Sequence, residues 1–244
     1  MINSRFALVL GASGGIGEVI SKQLAEAGWS LYLHYNSNSH QLALLQSELA
    51  TQYPNQEFRS VQADFRAEHA ADDLASKVQG VQAIVVANGQ AVVKLLSETT
   101  AVEMAELWKV HVQNPARLIA LLSAKLRKNN VSYVLFIGSI WGSAGAAGEV
   151  MYSAVKGAQH AFVKAYAKEA AYSGVRVNAI APGWIDTRMN QEFSLEERQM
   201  VMDQIPLLSV GTPQEIANMA EFMLSGKADY MTGEIIQING GWYM

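Results

Sequence analysis

The glycine-rich segment Gly11-Ala12-Ser13-Gly14-Gly15-Ile16-Gly17 gives the first indication of the fold of this chain. An apolar run that reads as a β-strand, Phe6–Leu10, comes directly before it, and apolar residues at helical spacing follow it as far as Gly28. Glycine allows a tight turn and a close approach of the backbone to a bound group, and the first turn of a helix offers free N–H groups to an anion. A glycine-rich loop between a strand and a helix is typical of a dinucleotide site, although the loop alone also fits an ordinary turn.

The alternation that begins at this loop continues to the end of the chain. Six further β-rich runs, separated by helical patterns, lie at Leu31–Tyr35, Phe58–Gln62, Ala83–Ala87, Val131–Ile137, Val175–Ile180 and Ile235–Ile238. Continuous hydrophobic strands separated by helices indicate a parallel sheet that is covered on both faces. We therefore predict a single α/β domain over residues 1–244, with a doubly wound, seven-stranded parallel sheet.

The composition excludes several classes of function. Of the 244 residues, 50% are hydrophobic, 16% are charged and none is Cys, which excludes disulfides, iron–sulfur and Cys-zinc sites and a Cys nucleophile. The net charge of −4 argues against bulk affinity for nucleic acid or an acidic membrane. No apolar run approaches the roughly 18 residues of a spanning helix, so we expect a cytoplasmic protein. The five His show no ligand spacing with carboxylates, so we expect no catalytic metal.

The end of the second predicted strand indicates which nicotinamide cofactor is used. An acidic residue there would hold the ribose 2′-OH of NAD, but the stretch His34–Asn38 contains no carboxylate. Asn36 and Ser37 could instead hydrogen-bond a 2′-phosphate, so NADPH is favoured over NADH, even though no Arg or Lys lies nearby in this stretch. Asp64, after the third strand, could bond the adenine amino group or could be a helix N-cap.

Three polar residues suggest ketone chemistry. Tyr152 and Lys156 stand four apart near the start of a long helix, so they share one face, and Ser139 ends the fifth strand. A ketone that accepts a hydride becomes an alkoxide and needs a proton. A free Tyr has a pKa of about 10, and a nearby Lys ammonium would lower it. Ser139 could donate to the carbonyl oxygen. Taken singly, the three could equally be a half-buried aromatic, a solvated charge and a turn residue.

Taken together, these motifs make the chain resemble a short-chain dehydrogenase/reductase nearly end to end. The residues that carry the resemblance are Gly11–Gly17, Ser139, Tyr152–Lys156, Asn178, Pro182–Thr187 and Asn239–Met244. Within the family the chain is most similar to bacterial 3-oxoacyl-[acyl-carrier-protein] reductases. The resemblance implies a Rossmann fold, NADPH as hydride donor, Ser-Tyr-Lys catalysis, a carrier- or protein-tethered ketone as substrate and a homo-oligomer, either tetramer or dimer.

The resemblance also implies a set of cofactor contacts and a lid over the substrate at residues 188–205. The predicted cofactor-binding residues are Gly11, Ser13, Gly14, Gly15, Ile16, Gly17, Asn36, Ser37, Asp64, Asn88, Gly89, Tyr152, Lys156, Pro182, Gly183, Ile185 and Thr187.

Two positions depart from the usual family pattern. Val86-Ala87-Asn88-Gly89 stands where the family usually has Asn-Asn-Ala-Gly, so Asn88 is the candidate replacement for a displaced Asn. His111 stands where the family usually has a catalytic Asn at a helical kink. His111 could orient a water or act as a relay base, since a His pKa near 6.5 suits neutral pH, or it could be a buried, hydrogen-bonded His.

The substrate remains open between two tethered ketones. His111, the stretch Ile140–Gly142 and the stretch Glu149–Gln159 resemble a narrower subgroup, some of whose members are assigned as elongation factor P 5-aminopentanone reductases. Glu149 could pair with the amino end of such a substrate, or could be a carboxylate favoured by the helix dipole. Lys125, Arg127 and Lys128 could form part of a landing patch for an acidic carrier protein. A different class, a cofactor-binding regulator without catalysis, would be expected to have a broken Tyr/Lys pair, and here the pair is intact.

Overall fold

The computed structural model describes residues 5–187 and 193–244, with only the backbone of Leu195. The strands are β1 (Phe6–Leu10), β2 (Ser30–Tyr35), β3 (Phe58–Gln62), β4 (Ala83–Val86), β5 (Ser132–Ile137), β6 (Val175–Pro182) and β7 (Ile235–Ile238). The helices are α1 (Gly15–Glu26), α2 (Ser39–Gln52), α3 (Ala70–Lys77), α4 (Ala101–Trp108), α5 (Asn114–Leu126), α6 (Trp141–Ala144), α7 (Val150–Ala170), α8 (Leu195–Met202) and α9 (Pro213–Leu224).

The strands form one sheet in the order β3-β2-β1-β4-β5-β6-β7, and every pair is parallel. The order reverses between β1 and β4, so the connections leave this point in opposite directions and open a crevice at the carboxyl ends of the strands. The Ala87 N–H donates to Leu10 O at 3.1 Å, so the loops after β1 and β4 start side by side. The predicted doubly wound parallel sheet of a Rossmann fold is confirmed.

Two apolar clusters cover the two faces of the sheet. One packs Leu8, Val134 and Phe136 against α3, α5 and α7, and the other packs Val9 and Leu135 against α1, α2 and α9. Successive strand residues point to opposite faces, so strands buried on both sides must be apolar throughout. The large core accounts for much of the low charge of the chain.

Three segments between the strands hold details that bear on the site. The helical region after the fourth strand bends through a π-helix, Lys109–Gln113, which joins α4 to α5 just before Pro115. The predicted loop at 142–148 begins inside the short helix α6, so its first residues are helical. Of the predicted lid at 188–205, residues 188–192 lie outside the described part, and α8 forms most of the remainder.

The described residues lack two features, a membrane-spanning helix and a group of metal-ligating side chains. Among them, no helix is both long and apolar enough to cross a membrane. Nor, within the same residues, do three or more His, Asp or Glu side chains gather as a metal site would require.

Candidate active site

The glycine loop packs so tightly that side chains are excluded at two positions. Gly11 has φ of +75°, and a Cβ on it would lie 2.8 Å from the Asn88 backbone. A Cβ on Gly17 would lie 2.1 Å from Gly11 O. The Gly14 N–H donates to Gly11 O at 2.9 Å, and α1 begins at Gly15 with no side-chain cap. The first N–H groups of α1 are therefore left for an anion, as a dinucleotide pyrophosphate requires.

The segment after β6 forms a second wall next to this loop. A Cβ on Gly15 would lie 3.2 Å from the Thr187 side chain, so the two predicted cofactor-binding segments meet. Ile185 is buried and pairs with Gly211 as an isolated parallel bridge, while Ile16 packs against the apolar cluster on the α1 side. Gly183 leaves no space for a side chain, because a Cβ there would lie 2.8 Å from Asn239, and Pro182 O accepts from the Ile140 N–H at 3.1 Å.

A buried His that the sequence analysis did not single out holds the glycine loop. The Gly11 N–H donates to His34 Nδ1 at 3.0 Å, and His34 Nε2 donates to Ala63 O at 3.0 Å. Accepting at Nδ1 requires the tautomer that is protonated at Nε2. Burial lowers the pKa of His34 to about 4, so the ring is neutral at pH 7 and ties the ends of three strands together. A His inside an otherwise apolar strand was the available signal.

A pocket beside the glycine loop contains an ion pair. Asn36, Asp64 and Arg66 line it together with Ser13 and the glycine loop, whereas Ser37 is exposed beside Asn36. Asp64 accepts from Arg66 Nη2 at 2.7 Å, and the Arg66 side-chain bond holds the pKa of the Asp64 carboxyl below its usual range. The N-cap interpretation of Asp64 is wrong, because α3 begins at Ala70. The stretch after β2 has no Arg or Lys of its own. Arg66, which follows the neighbouring strand β3, places a positive charge in the same pocket as Asn36.

The predicted Ser-Tyr-Lys set is brought together at the ends of β5 and α7. Ser139 forms a side-chain hydrogen bond with Tyr152, and its Oγ accepts from the Trp141 N–H at 3.2 Å. Lys156 Nζ lies 5.5 Å from the centre of the Tyr152 ring and donates to Ile137 O at 2.9 Å. Ser139 and Lys156 are buried, so these contacts are shielded from bulk water.

Burial shifts the pKa values of this set in opposite directions. It raises the pKa of Tyr152 well above 10, with the Glu149 charge adding to the rise and the Ser139 bond opposing it. It lowers the pKa of Lys156 to about 7, because the ammonium loses its hydration. The spacing of Tyr152 and Lys156 predicts that the Lys charge lowers the Tyr pKa. In the structure, loss of hydration has the larger effect on the pKa values of both Tyr152 and Lys156.

His111 lies in the π-helix against this set. Its ring meets the Tyr152 ring edge-on at 5.7 Å, and a Cβ on Gly89 would lie 2.7 Å from its Cε1. Nε2 lies 2.8 Å from Gln90 O and 3.2 Å from Gln90 N, so the backbone of Gln90 occupies it, and Nδ1 is buried without a partner among the described residues. The pKa of His111 is lowered to about 3, mainly because the ring is buried and to a lesser degree because the Lys156 charge is near. The ring is therefore neutral at neutral pH, where the sequence analysis considered a base with a pKa near 6.5.

Two side-chain amides from other elements bind adjacent carbonyls of the π-helix. Asn88 Nδ2 donates to Val110 O at 2.9 Å, and Gln159 Nε2 donates to His111 O at 2.8 Å. A π-turn displaces carbonyls from their usual helical partners, so these bonds stabilise it. The amide oxygens of Asn88 and Gln159 are buried without a partner in the described chain. Together with His111 Nδ1 they make three buried polar atoms around the π-helix that have no partner among the described residues.

An aromatic cluster with one carboxylate lies next to Ser139. The Trp141 ring lies 5.2 Å from Trp242 and 5.3 Å from Tyr243, measured between ring centres. Glu149, the residue before α7, forms a side-chain hydrogen bond with Trp141, and partial burial raises the pKa of Glu149. Aromatic faces beside a carboxylate favour a cationic group.

The glycine loop and the Ser-Tyr-Lys set together define a class of protein. A glycine cradle with an uncapped helix N-terminus, beside a Ser-Tyr-Lys set on a doubly wound sheet, is the site of a nicotinamide-dependent oxidoreductase. A family model described as enoyl-(acyl carrier protein) reductase matches residues 11–243. The chain belongs to the short-chain dehydrogenase/reductase family of NAD(P)H-dependent oxidoreductases.

Curated relatives match over their full length. The chain is 43% identical over 242 residues to the uncharacterized oxidoreductase YmfI of Bacillus subtilis (strain 168), covering 98% of this chain and 99% of the relative. It is 32% identical over 246 residues to the 3-oxoacyl-[acyl-carrier-protein] reductase FabG of Aquifex aeolicus (strain VF5), covering 99% and 98%.

Solved structures agree with the fold. A short-chain dehydrogenase/reductase of the glucose/ribitol dehydrogenase type from Brucella melitensis superposes with a TM-score of 0.91 at 27% identity, over 98% of this chain and 97% of that one. A blue fluorescent protein from a metagenomic library, solved in complex with NADPH, gives a TM-score of 0.92 at 26% identity, over 100% and 99%.

Proposed function

We propose that this protein reduces a ketone to an alcohol on a carrier- or protein-tethered substrate and uses NADPH. The contact between Ser139, Tyr152 and Lys156 beside the glycine cradle is the observation that carries the proposal. The bound cofactor supplies the hydride. Ser139 orients the carbonyl, Tyr152 gives the proton to the developing alkoxide, and Lys156 in its ammonium form lowers the pKa of Tyr152 and holds the nicotinamide ribose.

The neutral ring of His111 supports a positioning role. Its Nε2 is occupied by the backbone of Gln90 and its Nδ1 has no partner among the described residues, so Nδ1 would hydrogen-bond and orient a water beside Tyr152. We assign His111 this role in place of the usual Asn of the family, and not that of a base that titrates near neutrality.

We propose the predicted contact set as the cofactor site. NADPH is favoured over NADH because no carboxylate ends β2, and the NADPH complex of one structural neighbour is compatible with this choice. The pyrophosphate would lie at Gly11–Gly17, the adenosine near Asn36, Ser37 and Asp64, and the nicotinamide between Asn88, Gly89, Tyr152, Lys156 and the stretch from Pro182 and Gly183 to Ile185 and Thr187.

A 3-oxoacyl thioester on acyl-carrier protein is the first candidate substrate, supported by the FabG relative. The patch of Lys125, Arg127 and Lys128, expected from the sequence to receive the carrier protein, supports this candidate less than the relative does. Lys125 Nζ donates to Ala75 O and Val78 O and so caps α3. Residues 125–128 also close α5 at the amino end of β5, the edge of the sheet opposite Ser139.

The aminopentanone on elongation factor P is the second candidate. Glu149 and the cluster of Trp141, Trp242 and Tyr243 favour it, because a carboxylate among aromatic rings would bind the amino end of that substrate. A carboxylate at Glu149 is also favoured by the α7 helix dipole, which accounts for the residue without any substrate.

An NADPH-oxidation assay, run in parallel on acetoacetyl thioester and on aminopentanonylated elongation factor P, separates the two candidates. Turnover of one substrate well above the other identifies the tethered ketone, and Glu149→Gln should raise KM for the amine-bearing substrate only. No NADPH oxidation with either ketone would contradict the proposal.

We also propose a single domain with a lid over 188–205, a cytoplasmic location and a homo-oligomer of two or four copies. Exposed apolar side chains at Val93, Leu95, Val102 and Trp108, all within one short stretch of the chain, support the oligomer, since large exposed apolar patches mark protein interfaces. Sedimentation velocity of the purified protein tests it, and a monomer at micromolar concentration would contradict it.

A further inference from the structure

Arg66 lies beside the end of β2, although it follows β3 in the sequence. Strands β2 and β3 pair with Tyr35 opposite Gln62, and Gln62 Nε2 donates to Asn36 O at 3.0 Å. The chain then runs through Asp64 to Arg66, and both side chains line the same pocket as Asn36 and Ser13.

The guanidinium of Arg66 is held in place and keeps donors free for a ligand. Arg66 Nε donates to Asp64 Oδ1 at 3.0 Å and Arg66 Nη2 donates to Asp64 Oδ2 at 2.7 Å. A guanidinium has five N–H donors, so the Nη1 edge remains available. The side chain is 48% exposed, so that edge can meet a ligand in the pocket.

The charges around the pocket single out Arg66. Among the described residues that line it, Arg66 is the one permanent cation and Asp64 is the one carboxylate. His34 also lines the pocket, but burial keeps its ring neutral at pH 7. Glu106, on α4, is a further acid whose charge reaches Arg66. A dianion that binds here without Arg66 would face the uncompensated charge of Asp64.

We infer that Arg66 binds the 2′-phosphate of the cofactor and is the residue that sets the preference for NADPH over NADH. Guanidinium groups bind phosphate through paired, charge-assisted hydrogen bonds, whereas the Asn36 and Ser37 groups supply neutral donors only. Asp64 fixes the orientation of Arg66, and the pair cancels the acidic charge that would repel the phosphate. This inference rests on the proposed use of NADPH.

Calorimetric titration with 2′,5′-ADP and with 5′-AMP tests the inference without the nicotinamide or any turnover. The two ligands differ only in the 2′-phosphate. In the unchanged protein 2′,5′-ADP should bind more tightly. Arg66→Ala should weaken 2′,5′-ADP binding by about 10- to 100-fold and change 5′-AMP binding by less than about 3-fold. Arg117→Ala is the matched control, because Arg117 forms a similar ion pair with Asp72 at 2.7 Å on the exposed surface of α5 and α3.

Two further variants test which charges set the preference for the 2′-phosphate. Arg66→Lys should recover part of the preference. Asp64→Asn should increase the ratio of 2′,5′-ADP to 5′-AMP affinity, because it removes a negative charge while the amide oxygen can still accept a hydrogen bond from Arg66 and orient it. Equal weakening of both ligands by Arg66→Ala, or no weakening, would overturn the role of Arg66 while NADPH use stands. If the unchanged protein binds both ligands equally, the cofactor proposal fails as well.

Discussion

Tyr152 is the residue on which the proposed reaction depends most directly. Its hydroxyl meets Ser139, its ring lies between Lys156 and His111, and burial raises its pKa. A raised pKa keeps the hydroxyl protonated at neutral pH and so keeps it able to give a proton, provided that the Lys156 ammonium stabilises the phenolate that forms.

Tyr152→Phe should lower kcat for ketone reduction by about 10²- to 10⁴-fold, the usual contribution of a positioned acid. The dissociation constant for NADPH, measured by cofactor fluorescence, should change little, because the phenol is a small part of the cofactor site. Tyr172→Phe is the control, since Tyr172 is fully exposed just beyond α7. A Tyr152→Phe protein that retains full biological function would instead support the catalytically silent regulator.

Arg66 and His34 show what sequence reasoning missed at the scale of single residues. Both were visible in the sequence, but each acts across strands that are far apart along the chain: His34 contacts Gly11 and Ala63, and Arg66 reaches the end of β2. Spacing along one element cannot show such a contact, because strand order is a property of the sheet.

At the scale of elements, the glycine loop and α1 form one rigid unit. Alanine normally stabilises a helical position relative to glycine by up to about 1 kcal/mol. At Gly17 the sign should reverse, because a Cβ would lie 2.1 Å from Gly11 O, a backbone atom that cannot move without distorting the loop.

We therefore expect Gly17→Ala to lower the free energy of unfolding by about 1–3 kcal/mol and to weaken NADPH binding. Urea unfolding and a cofactor titration measure the two effects. Gly80→Ala is the matched control, since a Cβ there meets nothing within 4 Å, and it should change stability by less than about 0.5 kcal/mol. A Gly17→Ala protein with unchanged NADPH affinity would show that the loop tolerates a side chain.

The elements themselves were predicted well where one pattern covers the whole segment. All seven strands lie within two residues of their predicted bounds. For the central strands β1 and β4 the reason is that a strand buried on both faces must be a continuous apolar run. The π-helix was not predicted beyond a break near Pro115. It depends on Asn88 and Gln159, which bind its carbonyls from two other elements, so no periodicity within residues 101–127 could show it.

At the scale of the whole molecule, three buried His residues oppose folding in acid. Burial lowers the pKa of His34 to about 4, of His111 to about 3 and of His160 to about 4, against 6.5 for a free His. Below pH 6.5 these three His become protonated in the unfolded chain but stay neutral in the folded chain until the pH approaches 4. Stability is therefore complete above pH 6.5 and is lost as the pH falls towards 4.

The free energy of unfolding should fall by up to about 4 kcal/mol per pH unit between pH 6 and pH 5, about 1.4 for each His. Urea unfolding at several pH values measures this slope. His160→Leu should remove about a third of it, whereas His40→Gln, at an exposed position, should leave it unchanged. A slope that is the same in His160→Leu and the unchanged protein would contradict the assignment.

The parallel, doubly wound sheet, the glycine loop and the candidate residues Ser139, Tyr152 and Lys156 could be predicted from the sequence, because each follows from local periodicity or from spacing within one or two elements. The protonation states of these groups and of their neighbours depend on the folded chain. The neutral rings of His34 and His111, the shifts of Tyr152 and Lys156, and the place of Arg66 in the pocket all depend on burial and on contacts between distant segments. Dehydration and proximity set these properties, and both exist only after the chain has folded.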